Sequence, residues 1–440
     1  MRHALLLACL LAACGTATAQ LRLPGLPGPN LLPGQPGLGP LDTLRRPVDR
    51  LVERVDLPDL RALRLDQATA LLRRHPDVLE ADPRGAPAVR GEILAWNPAP
   101  AALDAARAAG LAPVRDTAAD GAGDIGRIVV LRVPAGAATD ALLERLRTLD
   151  PDGHYDFNHL YFGSGGGTAG EHPSAPASAA AAPAAGAGAL RVGLVDSGVA
   201  PDHRALRAAA VRPWGCAGRV LPDAHGTAVA ALLVGDDERF RGAAPGATLY
   251  AADIYCGADA TGGSAERIAG ALGWLARERV GVINLSLVGP PNAVLERIVA
   301  ALVARGHLLV AAVGNDGPAA PPLYPASYPG VVGVTGVDRD GRPLPEAARG
   351  PQVRFAAPGK DMVSAAPGQP PYRSVRGTSY AAPLVAGLLA PALPAPAPAA
   401  ARAAVDALAR TAAGAGTRPD DVLGHGIVGA RLRVDAARLR

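Results

Sequence analysis

A serine, a histidine, an aspartate and an asparagine stand where each can take part in acyl chemistry. Ser379 lies in Gly377–Thr378–Ser379–Tyr380–Ala381–Ala382–Pro383, after a tight turn and at the head of an apolar small-residue segment that reads as a buried helix. A hydroxyl there caps free backbone N–H groups. The helix dipole and a nearby base can also turn it into a nucleophile. His225 opens a small-residue helix in His225–Gly226–Thr227–Ala228–Val229–Ala230–Ala231. Imidazole titrates near neutrality, which suits a general base, and the glycine beside it admits a close neighbour. Asp196 follows Leu190–Arg191–Val192–Gly193–Leu194–Val195 and precedes Ser197–Gly198. A carboxylate at such a strand end either caps a turn or orients an imidazole. Asn315 follows an apolar strand in Gly314–Asn315–Asp316–Gly317. It reads as a left-handed turn residue or as an NH2 donor to an oxyanion. Each is ambiguous alone. In the order Asp, His, Asn, Ser they supply an orienting group, a base, an oxyanion donor and a nucleophile.

These residues need a frame. After residue 188 short apolar strands (192–195, 248–254, 282–285, 308–312 and 331–334) alternate with helical patterns such as 265–279 and 294–305. Alternation of this kind predicts an α/β fold with a doubly wound, mostly parallel sheet. Such sheets place their sites at the carboxyl ends of strands, where the four residues fall. Before it, 89–162 reads β-α-β-β-α-β: strands 93–96, 111–115, 128–133 and 154–161, helices 101–109 and 140–149. That order predicts a small α+β, ferredoxin-like sandwich. Residues 163–188 are Gly, Ala, Ser and Pro and read as an exposed linker. The segment 20–88 reads as a Pro/Gly-rich leader, with helical leucine spacing at Leu60, Leu63, Leu65, Leu71 and Leu72.

Composition narrows the partners. The net charge is +4 and aromatics are 3% of the 440 residues, a poor basis for a nucleic-acid surface of basic and stacking groups. Residues 1–19 read as a secretory signal, with a basic start, an apolar run and small residues before Gln20. Leu11–Ala12–Ala13–Cys14 equally resembles a bacterial lipoprotein box, in which Cys14 would carry a lipid anchor. The product is expected to be secreted or periplasmic, or else membrane-anchored. Later apolar runs are broken by prolines and do not read as membrane spans. Beyond the signal only Cys216 and Cys256 remain; in an oxidising compartment they form a disulfide or stay as two free thiols.

From 189 to 440 the chain resembles the subtilases, the subtilisin-like serine proteases. The blocks are Val195–Asp196–Ser197–Gly198–Val199, His225–Gly226–Thr227, Asn284–Leu285–Ser286–Leu287, Val313–Gly314–Asn315–Asp316–Gly317–Pro318, Tyr324–Pro325–Ala326, Phe355–Ala356–Ala357–Pro358–Gly359 and the Ser379 run. Near the end Gly424–His425–Gly426–Ile427–Val428 resembles the family's closing turn. The resemblance implies a self-processing serine endopeptidase acting on proteins or peptides. Ser379 would attack, His225 act as base, Asp196 orient it, and Asn315 with the Ser379 N–H receive the oxyanion. It implies that 89–162 is an inhibitory prodomain, an intramolecular partner removed after folding. Ser286, Leu287, Val288 and Gly289 resemble the segment lining the primary specificity pocket, with Val288 where the family usually has Gly, so the pocket would be narrowed or the substrate strand tilted. Gly262 and Gly263, in Thr261–Gly262–Gly263–Ser264, resemble the edge that pairs with substrate backbone. No cofactor is implied beyond a possible structural calcium, and the sequence has no clear run of oxygen ligands for it.

Two other readings compete. A catalytically inactive binding protein on the same fold would need a damaged triad. A metal-dependent hydrolase would use Asp196, Asp202, His203, Asp223 and His225, whose spacing matches no metal-ligand pattern.

Overall fold

The computed structural model describes residues 60–117, 125–163, 190–257, 259–414 and 418–439. The signal, the leader up to residue 59 and the linker from 164 to 189 lie outside the described residues.

Helix α1 (Leu60–Arg74) carries the leucine spacing noted above. Then come β1 (Leu79–Ala81), β2 (Pro87–Trp96), α2 (Pro100–Ala108), β3 (Ala112–Asp116), β4 (Ile128–Arg132), α3 (Thr139–Leu149) and β5 (His154–His159). The strands form an antiparallel sheet in the order β1-β2-β4-β3, with β5 also on β2. Side chains alternate across a strand, and here both faces are apolar. Ile93, Ala95, Val129 and Leu131 pack under α2 and α3 with Leu103, Ala106, Leu143 and Leu146. Leu94, Ile128 and Val130 face the other way and join the core of the larger domain. The sheet begins at Leu79, earlier than the boundary read at 89. A three-residue strand shows no period, and β1 is held by tertiary packing: Leu79, Val89 and Leu160 cluster with Leu71 and Leu72 of α1.

After a short strand β6 (Phe162–Gly163), the larger domain runs β7 (Arg191–Asp196), β8 (Val211–Gly215), α4 (Ala224–Val234), β9 (Thr248–Asp253), α5 (Ala265–Arg277), β10 (Val282–Leu285), β11 (Leu287–Val288), α6 (Ala293–Ala304), β12 (Leu308–Ala312), β13 (Val332–Val337), β14 (Val353–Pro358), β15 (Met362–Ala365), β16 (Tyr372–Val375), α7 (Thr378–Leu389) and α8 (Pro398–Ala409). Seven strands make one parallel sheet, β14-β13-β12-β10-β7-β9-β8. The order turns at β7, so the switch point lies where Asp196 ends that strand. The helices cover both faces. Val192, Leu194, Val282, Val310 and Val334 pack with α4 and α7. Val195, Ile283, Leu285, Leu309 and Ala311 pack with α5 and α6. The fold is α/β and doubly wound.

Cys216 and Cys256 are bonded to each other, 40 residues apart in sequence. They tie the end of β8 to the turn after β9. Closing a loop of that length stabilises by about 4 kcal/mol in the chain-entropy treatment. In a Ser379→Ala background, Cys216→Ala with Cys256→Ala is expected to lower the unfolding free energy by about 2–4 kcal/mol. Urea unfolding of the two proteins measures it.

Candidate active site

The four residues come from four separate strand or helix ends on the carboxyl side of the parallel sheet. Asp196 is the last residue of β7 and is 1% exposed. Its Oδ1 accepts from His225 Nδ1 at 2.7 Å and from Ser197 N at 2.6 Å. That fixes the imidazole with Nε2 turned away from the carboxylate. His225 sits in the first turn of α4, whose N-cap is Asp223; the Asp223 side chain accepts from His225 N. Ser197 Oγ donates to Asp223 Oδ1 and accepts from Gly226 N, stitching the loop after β7 to the helix. A β-carbon built on Gly226 would lie 2.1 Å from Ser197 O, so only glycine allows this approach.

Ser379 is the second residue of α7 and fully buried. Pro383 lies four residues on inside the same helix. Proline has no N–H, so the Ser379 carbonyl loses its usual helical donor. Ser286 replaces it: its Oγ donates to Ser379 O at 2.8 Å while accepting from Asn284 Nδ2 at 2.9 Å. Ser379 Oγ and His225 Nε2 are both buried without a hydrogen-bond partner. The ring of Tyr380 stands 5.4 Å from that of His225. Asn315 follows β12. Its Oδ1 accepts from Thr378 N at 3.1 Å, and Thr378 Oγ1 accepts from Gly314 N at 3.2 Å. These bonds lock the Asn315 amide, NH2 group outward from Thr378, against the turn that carries Ser379.

A piece of the chain itself lies along this edge. β6 pairs antiparallel with β11, Phe162 with Val288 and Gly163 with Leu287. On the other side Tyr161 N donates to Gly263 O at 2.8 Å, and Leu160 bridges Ser264. Of the residues read as substrate-contacting, Leu287, Val288 and Gly263 pair with this strand. Gly289 pairs instead with Tyr324 and lies under the Tyr161 ring. Gly262 closes a turn onto Asp259, and Ser286 supports Ser379. Val288, branched side chain and all, pairs in register with Phe162.

Several participants were not visible in the sequence. Tyr161 is 1% exposed, with its hydroxyl donating to Pro290 O at 2.8 Å. Arg64 of α1 reaches Asp316, next to Asn315, through two N–O contacts of 2.6 and 2.7 Å. Asp253 stands opposite Asp196 in the β7–β9 register, and its Oδ2 is buried without a partner. Its position at the end of an apolar strand, as for Asp196, was the only signal.

His203, part of the metal-hydrolase reading, is spent elsewhere: Nε2 donates to Pro371 O and Nδ1 accepts from Ala205 N. Among the described residues, His, Cys, Asp and Glu side chains converge within metal-ligand range at Cys216, Asp253 and Cys256. Two of these are consumed by the disulfide, and the set does not suit a hard cation such as calcium. No helix among the described residues is long and apolar enough to cross a membrane.

Residues 186–426 match the sequence profile of the Subtilase family. This chain belongs to the subtilase family. The chain is 35% identical to M-protease of Shouchella clausii (strain KSM-K16) over 206 residues, 46% of this chain and 53% of that protein. It is 35% identical to Subtilisin Savinase of Lederbergia lenta over 206 residues, 75% of that protein. The chain thus spans about half the length of the first relative and three quarters of the second. Among solved structures it resembles fervidolysin from Fervidobacterium pennivorans, a keratinolytic enzyme related to subtilisin, with a TM-score of 0.60 at 19% identity over 78% of this chain and 61% of that one. That likeness concerns the fold.

Electrostatics favour a charged His225. Burial works against the imidazolium, but the carboxylates of Asp196 and Asp223 outweigh it and raise the pKa above its ordinary value. In the Ser379→Ala chain the His225 ring resonance is expected to titrate above about 6.5. Asp196→Asn removes the main counter-charge and leaves burial dominant, so the midpoint should fall below the unmodified one. An unchanged midpoint would mean that the Asp196 contact is absent in solution.

Proposed function

We propose that the chain is the precursor of a secreted or cell-envelope serine endopeptidase. Ser379 Oγ attacks a peptide carbonyl as His225 Nε2 takes its proton. The same nitrogen then returns the proton to the leaving amine, and water repeats the cycle to release the acyl enzyme. Asp196 keeps Nδ1 protonated and stabilises the imidazolium. The Asn315 amide and the Ser379 N–H receive the oxyanion; loss of the equivalent asparagine in subtilisin, the measured case, costs about 3–4 kcal/mol. The proposed chemistry calls for no cofactor. The observation that carries the reading is the bonded Asp196–His225 pair, with His225 Nε2 and Ser379 Oγ both buried and neither engaged in a hydrogen bond. The inactive binding-protein reading has no damaged residue to rest on.

The unit formed by β1 to β5 would act as the intramolecular inhibitor. The strand that follows it, β6, pairs with β11, the edge read as substrate-binding, and the unit's sheet supplies caps to the helices beneath. Asn158 Oδ1 accepts from Glu266 N at the start of α5, and Asp156 Oδ2 accepts from Ala293 N at the start of α6. Such contacts satisfy N–H groups that a free helix end leaves to water, each worth about 1 kcal/mol. Arg115 spans the junction between Glu92 and Glu266. Arg64 on Asp316 adds a contact from ahead of the inhibitor unit. The disulfide fits an oxidising compartment, so we infer a secreted or periplasmic product, or one anchored through Cys14.

Expression of the wild-type chain beside Ser379→Ala tests the proposal. The wild type should yield a shorter mature form, and Ser379→Ala an uncut precursor. N-terminal sequencing of the product locates the cut. Identical processing of both would contradict self-cleavage.

A further inference from the structure

The docked strand fixes a register, and the register has consequences for substrate choice. Phe162 lies opposite Val288 and Gly163 opposite Leu287. A substrate strand continuing this way sets its next residue opposite Ser286, whose Oγ is bonded to the Ser379 carbonyl. A β-carbon built on Gly163 lies 3.9 Å from the His225 ring, so that next residue is the one whose carbonyl reaches Ser379. Directly opposed residues of an antiparallel pair share a face, and side chains alternate. The side chain of that next residue therefore shares a face with position 162 and with Val288. On this face two side chains already converge beside the oxyanion group. A β-carbon built on Gly314, the residue before Asn315, would lie 2.5 Å from Leu323 Cδ1 and 3.4 Å from Val288 Cγ1. Leu323 is held there: its neighbour Tyr324 exchanges both backbone hydrogen bonds with Gly289, at 2.9 and 3.1 Å.

Three residues earlier in the same register the site is the reverse, deep and filled. Tyr161 packs among Ile268, Leu272, Leu285, Leu287 and Tyr328, with its hydroxyl on Pro290 O.

We propose that Val288 and Leu323 close the primary pocket to large side chains, so that the enzyme cuts after alanine, serine or glycine, and that selection passes to the residue three before the one at the cut, where tyrosine is preferred to phenylalanine. The inference rests on the serine-peptidase reading and names its substrate class. The chain's own sequence at this point, Tyr161–Phe162–Gly163–Ser164–Gly165, has that pattern. The Pro290 carbonyl gives tyrosine an advantage over phenylalanine, because a buried acceptor is left unmet by the latter.

The test uses the processed enzyme and internally quenched peptides Tyr-Phe-Gly-X-Gly-Thr-Ala. With X as alanine or serine, kcat/KM should exceed that for leucine or phenylalanine by about 30-fold or more, the scale of overpacking a filled site. Leu323→Ala and Val288→Gly should each raise the phenylalanine-to-alanine ratio by about tenfold or more. With X as alanine, replacing the tyrosine by phenylalanine should cost a few-fold and by alanine about 30-fold or more. The wild-type series decides the matter even if a variant fails to fold. Cleavage after phenylalanine within about threefold of that after alanine, an insignificant packing difference, overturns the closed pocket. Indifference to the tyrosine overturns the anchor. Either result in a chain that processes itself leaves the peptidase reading standing; a chain that cuts neither itself nor any peptide overturns both.

Discussion

Pro383 deprives the Ser379 carbonyl of its helical donor, and Ser286 makes good the loss. Much of the site depends on that exchange. The carbonyl is buried, and an unmet buried acceptor would cost about 1–3 kcal/mol. Its replacement donor stands between β10 and β11, immediately beside the edge that holds Phe162 and Gly163. One hydrogen bond therefore registers the turn that carries Ser379 against the edge on which β6 lies. Asn284, fully buried, holds Ser286 in turn. The helix gives up regularity at its first turn and gains a fixed distance between Ser379 and the β11 edge.

The remaining groups are placed by similar exchanges at other strand ends. Ser197 links Asp196, Asp223 and the first turn of α4, and the missing side chain of Gly226 lets the loop after β7 come within reach. Thr378 does the same between Asn315 and Ser379. A parallel sheet ends its ladder of hydrogen bonds at these carboxyl ends, so loop and helix termini must satisfy one another there. The docked N-terminal unit completes the pattern. Its Asp156 and Asn158 serve the starts of α6 and α5, while Leu94 and Val130 share a core with Leu272 and Leu275. Covering the site and stabilising the helices beneath it are therefore the same set of contacts.

The fold was legible because its signals are local. Strand and helix alternate after residue 188, and each of Asp196, Asn315 and Ser379 follows a strand or turn that announces itself in a few residues. What escaped was set by distance in sequence. β1 is too short to have a period and exists because α1 and Val89 cover it. Leu323 sits in a proline-rich loop with nothing to mark it, and its meaning comes from Gly314 and Val288 brought beside it. Val288 was noticed as unusual, but whether it would tilt the strand or narrow the pocket depends on where its side chain goes. Arg64 and Asp316 are 252 residues apart, and no spacing rule joins them. Cys216 and Cys256 left two outcomes open until the turn after β9 brought them together.

The central claim is that this constellation makes Ser379 a nucleophile. Treatment of the processed protein with a fluorophosphonate, followed by peptide mass mapping, tests it most directly. The account predicts a single adduct on Ser379, absent from protein in which His225 has been replaced by alanine after processing in trans. A folded, processed chain that carries no adduct, or carries it on another residue, would contradict the account.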